Sequence, residues 1–68
     1  MEQAILFPID KYTTADARTW LDNHGFKPIK HVHKTKHFYR YRLKQPRVGA
    51  RYYIIKMRNG ILRVMMEI

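Results

Sequence analysis

An Asn59-Gly60 pair stands between two runs rich in apolar residues, 52–57 and 61–66, and it limits the fold more than any other stretch. Asn-Gly in that setting is the strongest short hairpin signal, because both central positions of a type I′ turn need positive φ. A two-residue loop there sets Arg58 opposite Ile61, Met57 opposite Leu62, Ile55 opposite Val64 and Tyr53 opposite Met66. Side chains alternate along a strand, so those last six residues share one apolar face. The other face mixes Tyr52, Ile54, Lys56 and Arg58 with Ile61, Arg63, Met65 and Glu67.

A chain of 68 residues makes one domain, here a single basic domain over 1–68. At this length folding buries only about 60% of the unfolded surface, so the stability margin is narrow. The chain has no cysteine, which removes disulfide staples and thiolate metal ligands. Efficient packing or a second copy must compensate, and the terminal hairpin is the expected homodimer contact. No run approaches the roughly 18 apolar residues of a membrane span. No basic segment followed by a long apolar one opens the chain. The sequence therefore predicts neither a membrane protein nor a secreted one.

Ahead of the hairpin, Ala4-Ile5-Leu6-Phe7 reads as a strand closed by Pro8. Thr13-Thr14-Ala15-Asp16 carries a hydroxyl N-cap with an acid three residues on, the start signal of a helix. Ala17, Trp20, Leu21 and His24 form its stripe, and Gly25 ends it. Ile29–Lys34 reads as an edge strand, and Thr35-Lys36 as a tight turn. His37–Leu43 alternates strictly: His37, Tyr39, Tyr41 and Leu43 face one way, Phe38, Arg40, Arg42 and Lys44 the other. Gln45–Ala50 is a loop marked by Pro46 and Gly49. The order is β-α-β-β-β-β, an α+β fold with a mostly antiparallel sheet and one helix packed on one face. That helix is expected to cover Tyr53, Ile55, Met57, Leu62, Val64 and Met66.

The net charge is +9 and it is unevenly placed. Residues 1–25 balance four acids against Lys11 and Arg18, whereas residues 26–68 set twelve Lys and Arg against Glu67 alone. Such a basic half favours a polyanionic partner. Lys34, Lys36, Arg40, Arg42, Lys44, Arg47 and Arg51 interleave with His37, Phe38, Tyr39 and Tyr41. Lys and Arg neutralise phosphates and release counterions, and exposed aromatics stack on unpaired bases. Lys56, Arg58 and Arg63 extend the patch. No basic helix is available to read a major groove, so the expectation is low-specificity binding of duplex DNA through phosphate contacts. Two other readings stand beside it: RNA or single-strand binding, and an interaction or virion-assembly module docking an acidic protein.

Metal and catalytic chemistry find little support. His31, His33 and His37 are spaced as ligands on a strand, but no cysteine or neighbouring carboxylate completes a four-coordinate site. Added positive charge on acidification is the plainer role of these histidines. Asp16 belongs to the helix start, and no carboxylate spacing suggests an acid/base pair. No glycine-rich phosphate loop occurs. A non-enzymatic protein without metal, cofactor or small-molecule substrate is expected.

The series Leu6-Phe7-Pro8, Tyr12-Thr13, Ala17, Trp20-Leu21, His24-Gly25-Phe26 and Phe38-Tyr39-Arg40-Tyr41-Arg42 resembles a short uncharacterised domain of phage and large DNA virus proteins. The likeness covers residues 4–42. It carries no functional residue over. It implies a viral origin and a location in the virion or the infected cell; joined to the charge, it implies a protein that binds or packages a viral genome.

Overall fold

β1 (Glu2–Pro8) holds the centre of the sheet because it is apolar on both sides: Ala4, Ile5 and Phe7 are all fully buried. A computed structural model describes residues 1–68. After β1 come α1 (Thr14–Asn23), β2 (His33–Lys34), β3 (Phe38–Arg42), β4 (Arg51–Lys56) and β5 (Leu62–Glu67). The five strands lie in the order β2-β3-β1-β5-β4, and every pairing is antiparallel. The fold is α+β, with the expected order of elements.

α1 begins at an N-cap, Thr13, whose hydroxyl accepts from the Asp16 N–H at 3.1 Å while the Asp16 carboxylate accepts from the Thr13 N–H at 3.1 Å. Both bonds satisfy donors that a helix start otherwise leaves open. Ala17 and Leu21 are the buried members of its stripe. His24 lies outside the core and stacks on Trp20, with ring centroids 3.8 Å apart. Gly25, at φ +74°, takes the chain out of the helix.

The core joins Ile5, Phe7, Tyr41 and Ile61 on the sheet to Ala17 and Leu21 on the helix. Phe7 is its hub: the rings of Tyr12, Trp20 and Tyr41 each meet it edge to face at 5.6 Å. Each such large side chain, fully buried, contributes about 1.5–3 kcal/mol. Burial raises the Tyr41 phenol above its usual 10, more than the nearby Arg18 charge lowers it.

The terminal hairpin forms in a different register from the one its sequence predicts. Ile55 pairs with Arg63, Tyr53 with Met65 and Tyr52 with Met66, one residue out of step. The loop has three residues, Arg58-Asn59-Gly60, closed by Met57 N–H donating to the Ile61 carbonyl at 2.9 Å. Only Gly60 has positive φ, at +86°; Asn59 instead accepts the Ile61 N–H on its side-chain oxygen at 3.1 Å. A type I turn followed by one left-handed glycine is the common three-residue hairpin. A slip of one exchanges the faces of a whole strand. Ile61, Arg63 and Met65 therefore lie on the helix side, and Leu62, Val64 and Met66 on the other.

The helix consequently covers β1, β3 and Ile61; of the hairpin residues expected beneath it, only Met57 packs against this core. Ile55 and Tyr53 stay 39% and 44% exposed although they sit on the helix side of β4, which shows that α1 does not reach the sheet's far edge. The predicted strand Ile29–Lys34 contracts to His33–Lys34, an edge strand as expected. Residue 29 still touches the sheet, its N–H donating to the Arg42 carbonyl at 2.9 Å.

Candidate nucleic-acid interface

Cross-strand partners share a face, so the register assigns every strand side chain to the helix side or to the open side. Tyr39 is opposite Phe7 and Tyr41 opposite Ile5, which places both tyrosines under the helix. Arg40 is opposite Leu6 and Arg42 opposite Ala4, on the open side. One row across that side reads His33, Arg40, Leu6, Leu62, Lys56. The next reads Arg42, Ala4, Val64, Ile54. An aliphatic strip thus runs between a basic margin on β3 and Lys56 on β4. By this register no carboxylate projects from a strand on the open side.

Arg40 is held in place from beneath. A β-bulge between Glu2 and Ala4 inserts Gln3 into β1. Gln3 is 1% exposed, accepts from Arg40 Nη2 at 3.1 Å and donates to the Lys44 carbonyl at 2.9 Å. The same bulge sets Glu2 opposite Met65, where its carboxylate pairs with Arg63. Burial acts against that carboxylate, but its backbone hydrogen bond, the Arg63 guanidinium and the terminal ammonium outweigh it and lower the Glu2 pKa.

The ten basic residues named from the sequence divide into groups. Arg40 and Arg42 lie side by side on the open face, with exposed Lys44 just beyond the strand. Lys36 and Lys56 both line a hollow of about 690 Å³ at one end of the sheet, together with Lys11, His37, Phe38 and Asp10. Arg47 sits in the loop after β3, whose backbone is tied to Tyr52: the Tyr52 hydroxyl accepts the Arg47 N–H at 2.8 Å. Arg58 is in the hairpin loop. Lys34, opposite Tyr39, and Arg51, opposite Glu67, belong to the helix side. Arg63 is on the helix side too and is occupied by Glu2.

Sequence reasoning missed Lys30, His31 and His33 as partners of Arg40 and Arg42; the five line one hollow of about 210 Å³. Lys11 and His37 were likewise not assigned to Lys36 and Lys56. Local spacing holds no signal for either grouping, because the strand order creates both. His37 lies at the hollow shared with Lys36 and Lys56, away from His31 and His33, and no three His, Cys, Asp or Glu side chains come close enough to hold a metal ion. The largest hollow, about 730 Å³ between α1 and residues 28–32, is lined by both Arg18 and Asp22 and has no single-sign character. No helix is long and apolar enough to cross a membrane. No family model, curated protein or solved structure matches this chain.

Proposed function

We propose that the protein binds nucleic acid without catalysis, gripping the backbone of duplex DNA on the open face of its sheet with little sequence preference. The row from Arg40 through Leu6 and Leu62 to Lys56 carries this reading. Three strand spacings separate its cationic ends, about 14 Å, close to the roughly 12 Å width of a major groove. The two margins can thus meet phosphates on opposite strands while the aliphatic strip lies over the gap. Tyr39 and Tyr41 face the helix, so the Tyr-Arg-Tyr-Arg strand offers arginines and not stacking rings. Phe38 and Tyr52 stay on the open side at its margins, so the duplex reading rests on the row of arginine, aliphatic strip and lysine rather than on a lack of rings. A role in holding or packaging a viral genome fits a small basic protein of this kind.

An electrophoretic mobility shift across salt tests the proposal. With Arg40, Arg42, Lys36 and Lys56 on phosphates, log affinity falls against log salt with a slope of about −3 to −4. Absence of a complex at low salt, or affinity indifferent to salt, overturns it. Competition among duplex, single strand and RNA separates the three nucleic-acid readings.

A second reading rests on β4. This edge strand presents Tyr52, Tyr53, Ile54 and Ile55, with Ile54 59% exposed, and its outer ladder is unpaired. Such an edge accepts another strand. Two copies pairing antiparallel with Ile54 opposite Ile54 set Tyr53 against Ile55 and Tyr52 against Lys56, without like charges directly opposite. A homodimer built this way doubles the phosphate-binding surface. Docking of an acidic protein strand at the same edge is the competing use. Sedimentation showing a monomer at high micromolar concentration rejects the homodimer.

A further inference from the structure

The hollow beside β3 is lined by Lys30, His31, His33, Arg40 and Arg42, and by nothing else. All five side chains offer N–H donors, and none is a carboxylate. Arg and Lys are cationic at neutral pH, and an imidazole keeps at least one N–H in either protonation state. The hollow measures about 210 Å³, room for one small polyatomic anion rather than an extended ligand. Its walls come from different parts of the chain. Arg40 and Arg42 project from β3, His33 lies opposite Arg40 on β2, and Lys30 and His31 follow the residue whose N–H is bonded to the Arg42 carbonyl.

Two details mark it as more than a charged surface. Arg40 is fixed by buried Gln3, so its guanidinium needs little ordering when an anion arrives. Its Nε is buried without a hydrogen-bond partner. An atom closed to solvent does not meet a ligand in the hollow, so this Nε shows how deeply the Arg40 stem is seated and is not itself an anion contact. Charge-assisted bonds from arginine to phosphate oxygens are among the strong ones.

We infer that this hollow is a seat for a single phosphate group, with Arg40 and Arg42 as principal ligands and Lys30, His31 and His33 completing the cage. The inference rests on the nucleic-acid reading for its natural ligand and adds a fixed point of register on the backbone. The phosphate is an internal diester or a strand-terminal monoester, which share the chemistry.

The test uses the intact protein and inorganic phosphate, followed by heteronuclear NMR at fixed pH and ionic strength. The expected result is a saturable shift of the His31 and His33 ring signals with phosphate and none with chloride, lost in Arg42→Gln and in Lys30→Gln. These two changes spare buried Gln3 and the core, and retained amide dispersion verifies folding. Shifts that grow linearly and match those with chloride overturn the seat. Duplexes with 5′-phosphate or 5′-hydroxyl ends separate the sources: tenfold preference for the phosphorylated end assigns the monoester, and equal binding weakened by Lys30→Gln assigns the diester. Unchanged duplex affinity in Lys30→Gln overturns the seat while leaving the nucleic-acid reading, which stands on Arg40, Arg42, Lys36 and Lys56, intact. Saturable phosphate binding without any duplex binding does the reverse.

Discussion

Arg40 and Gln3 are joined across two antiparallel strands by a 3.1 Å hydrogen bond from the guanidinium to the amide oxygen. Gln3 spends its other end on the Lys44 carbonyl, so one buried amide ties a basic side chain to the backbone beyond β3. Replacing Gln3 by Leu leaves both partners unpaired. The expected loss is about 1–3 kcal/mol in urea unfolding, with weaker duplex binding in the same variant under conditions where it is fully folded. Affinity equal to the parent protein means that Arg40 does not need this support.

Exchange of charge on opposite sides of the sheet separates a specific face from general basicity. Arg40→Gln with Arg42→Gln removes two open-face cations, and Lys34→Gln with Arg51→Gln removes two from the helix side. Both pairs lower the net charge equally. Only the first is expected to flatten the salt dependence of duplex binding, by about 2 in slope. Equal losses for both pairs contradict an open-face site.

The hairpin loop gives a direct contrast. Gly60→Ala places a Cβ 3.2 Å from the Pro8 ring at a backbone φ of +86°, strained on both counts. Asn59→Ala removes only the side-chain acceptor of the Ile61 N–H. Chemical denaturation is expected to show a loss above about 1 kcal/mol for Gly60→Ala and a smaller one for Asn59→Ala. Comparable losses point to the two-residue turn, in which both positions need positive φ.

How much of this was legible in the sequence depended on whether the signal was local. Thr13 and Asp16 announced the helix start because a capping box involves only four consecutive residues. The strict alternation of 37–43 separated the arginines from the tyrosines, though only tertiary packing decided which set the helix would cover. The hairpin register was not legible. Ile61 and Leu62 are both apolar, as are Val64, Met65 and Met66, so neither parity of β5 exposes an obvious error, and Asn-Gly serves loops of two and of three residues. The bulge at Gln3 has no glycine or proline to mark it. The phosphate seat assembles residues from β2, β3 and the segment before them, a grouping that only strand order produces.

Glu2 contributes to the response to acid. Its carboxylate pKa lies below the ordinary value of 4.5 in the folded state, so the stability it contributes is present above that value and is lost as pH falls through the lowered one. Thermal unfolding followed from pH 7 to pH 3 is expected to show a steeper fall for the parent protein than for Glu2→Gln, which starts less stable at neutral pH. Parallel curves remove Glu2 from the acid response.

Thr13→Ala is expected to destabilise the fold by about 1 kcal/mol, and Thr13→Ser by much less, because serine retains the oxygen that receives the Asp16 N–H. A folded chain of 68 residues holds only about 3–10 kcal/mol in total. The midpoint of urea unfolding therefore resolves the difference. Equal midpoints for the two variants rule out the cap as a source of stability.

The sequence of birth of the strands runs against their sequence in space. β5 inserts between β1 and β4, so the first strand made waits for the last before its second flank is closed. While only residues 1–60 are free of the ribosome, β1 can meet β3 but has one ladder bare, beside a β4 with nothing to pair against. Such a chain cannot complete its sheet while β5 is missing. It closes only after β5 clears the exit tunnel, and until then its exposed edges are targets for chaperones or for another nascent copy on the same message.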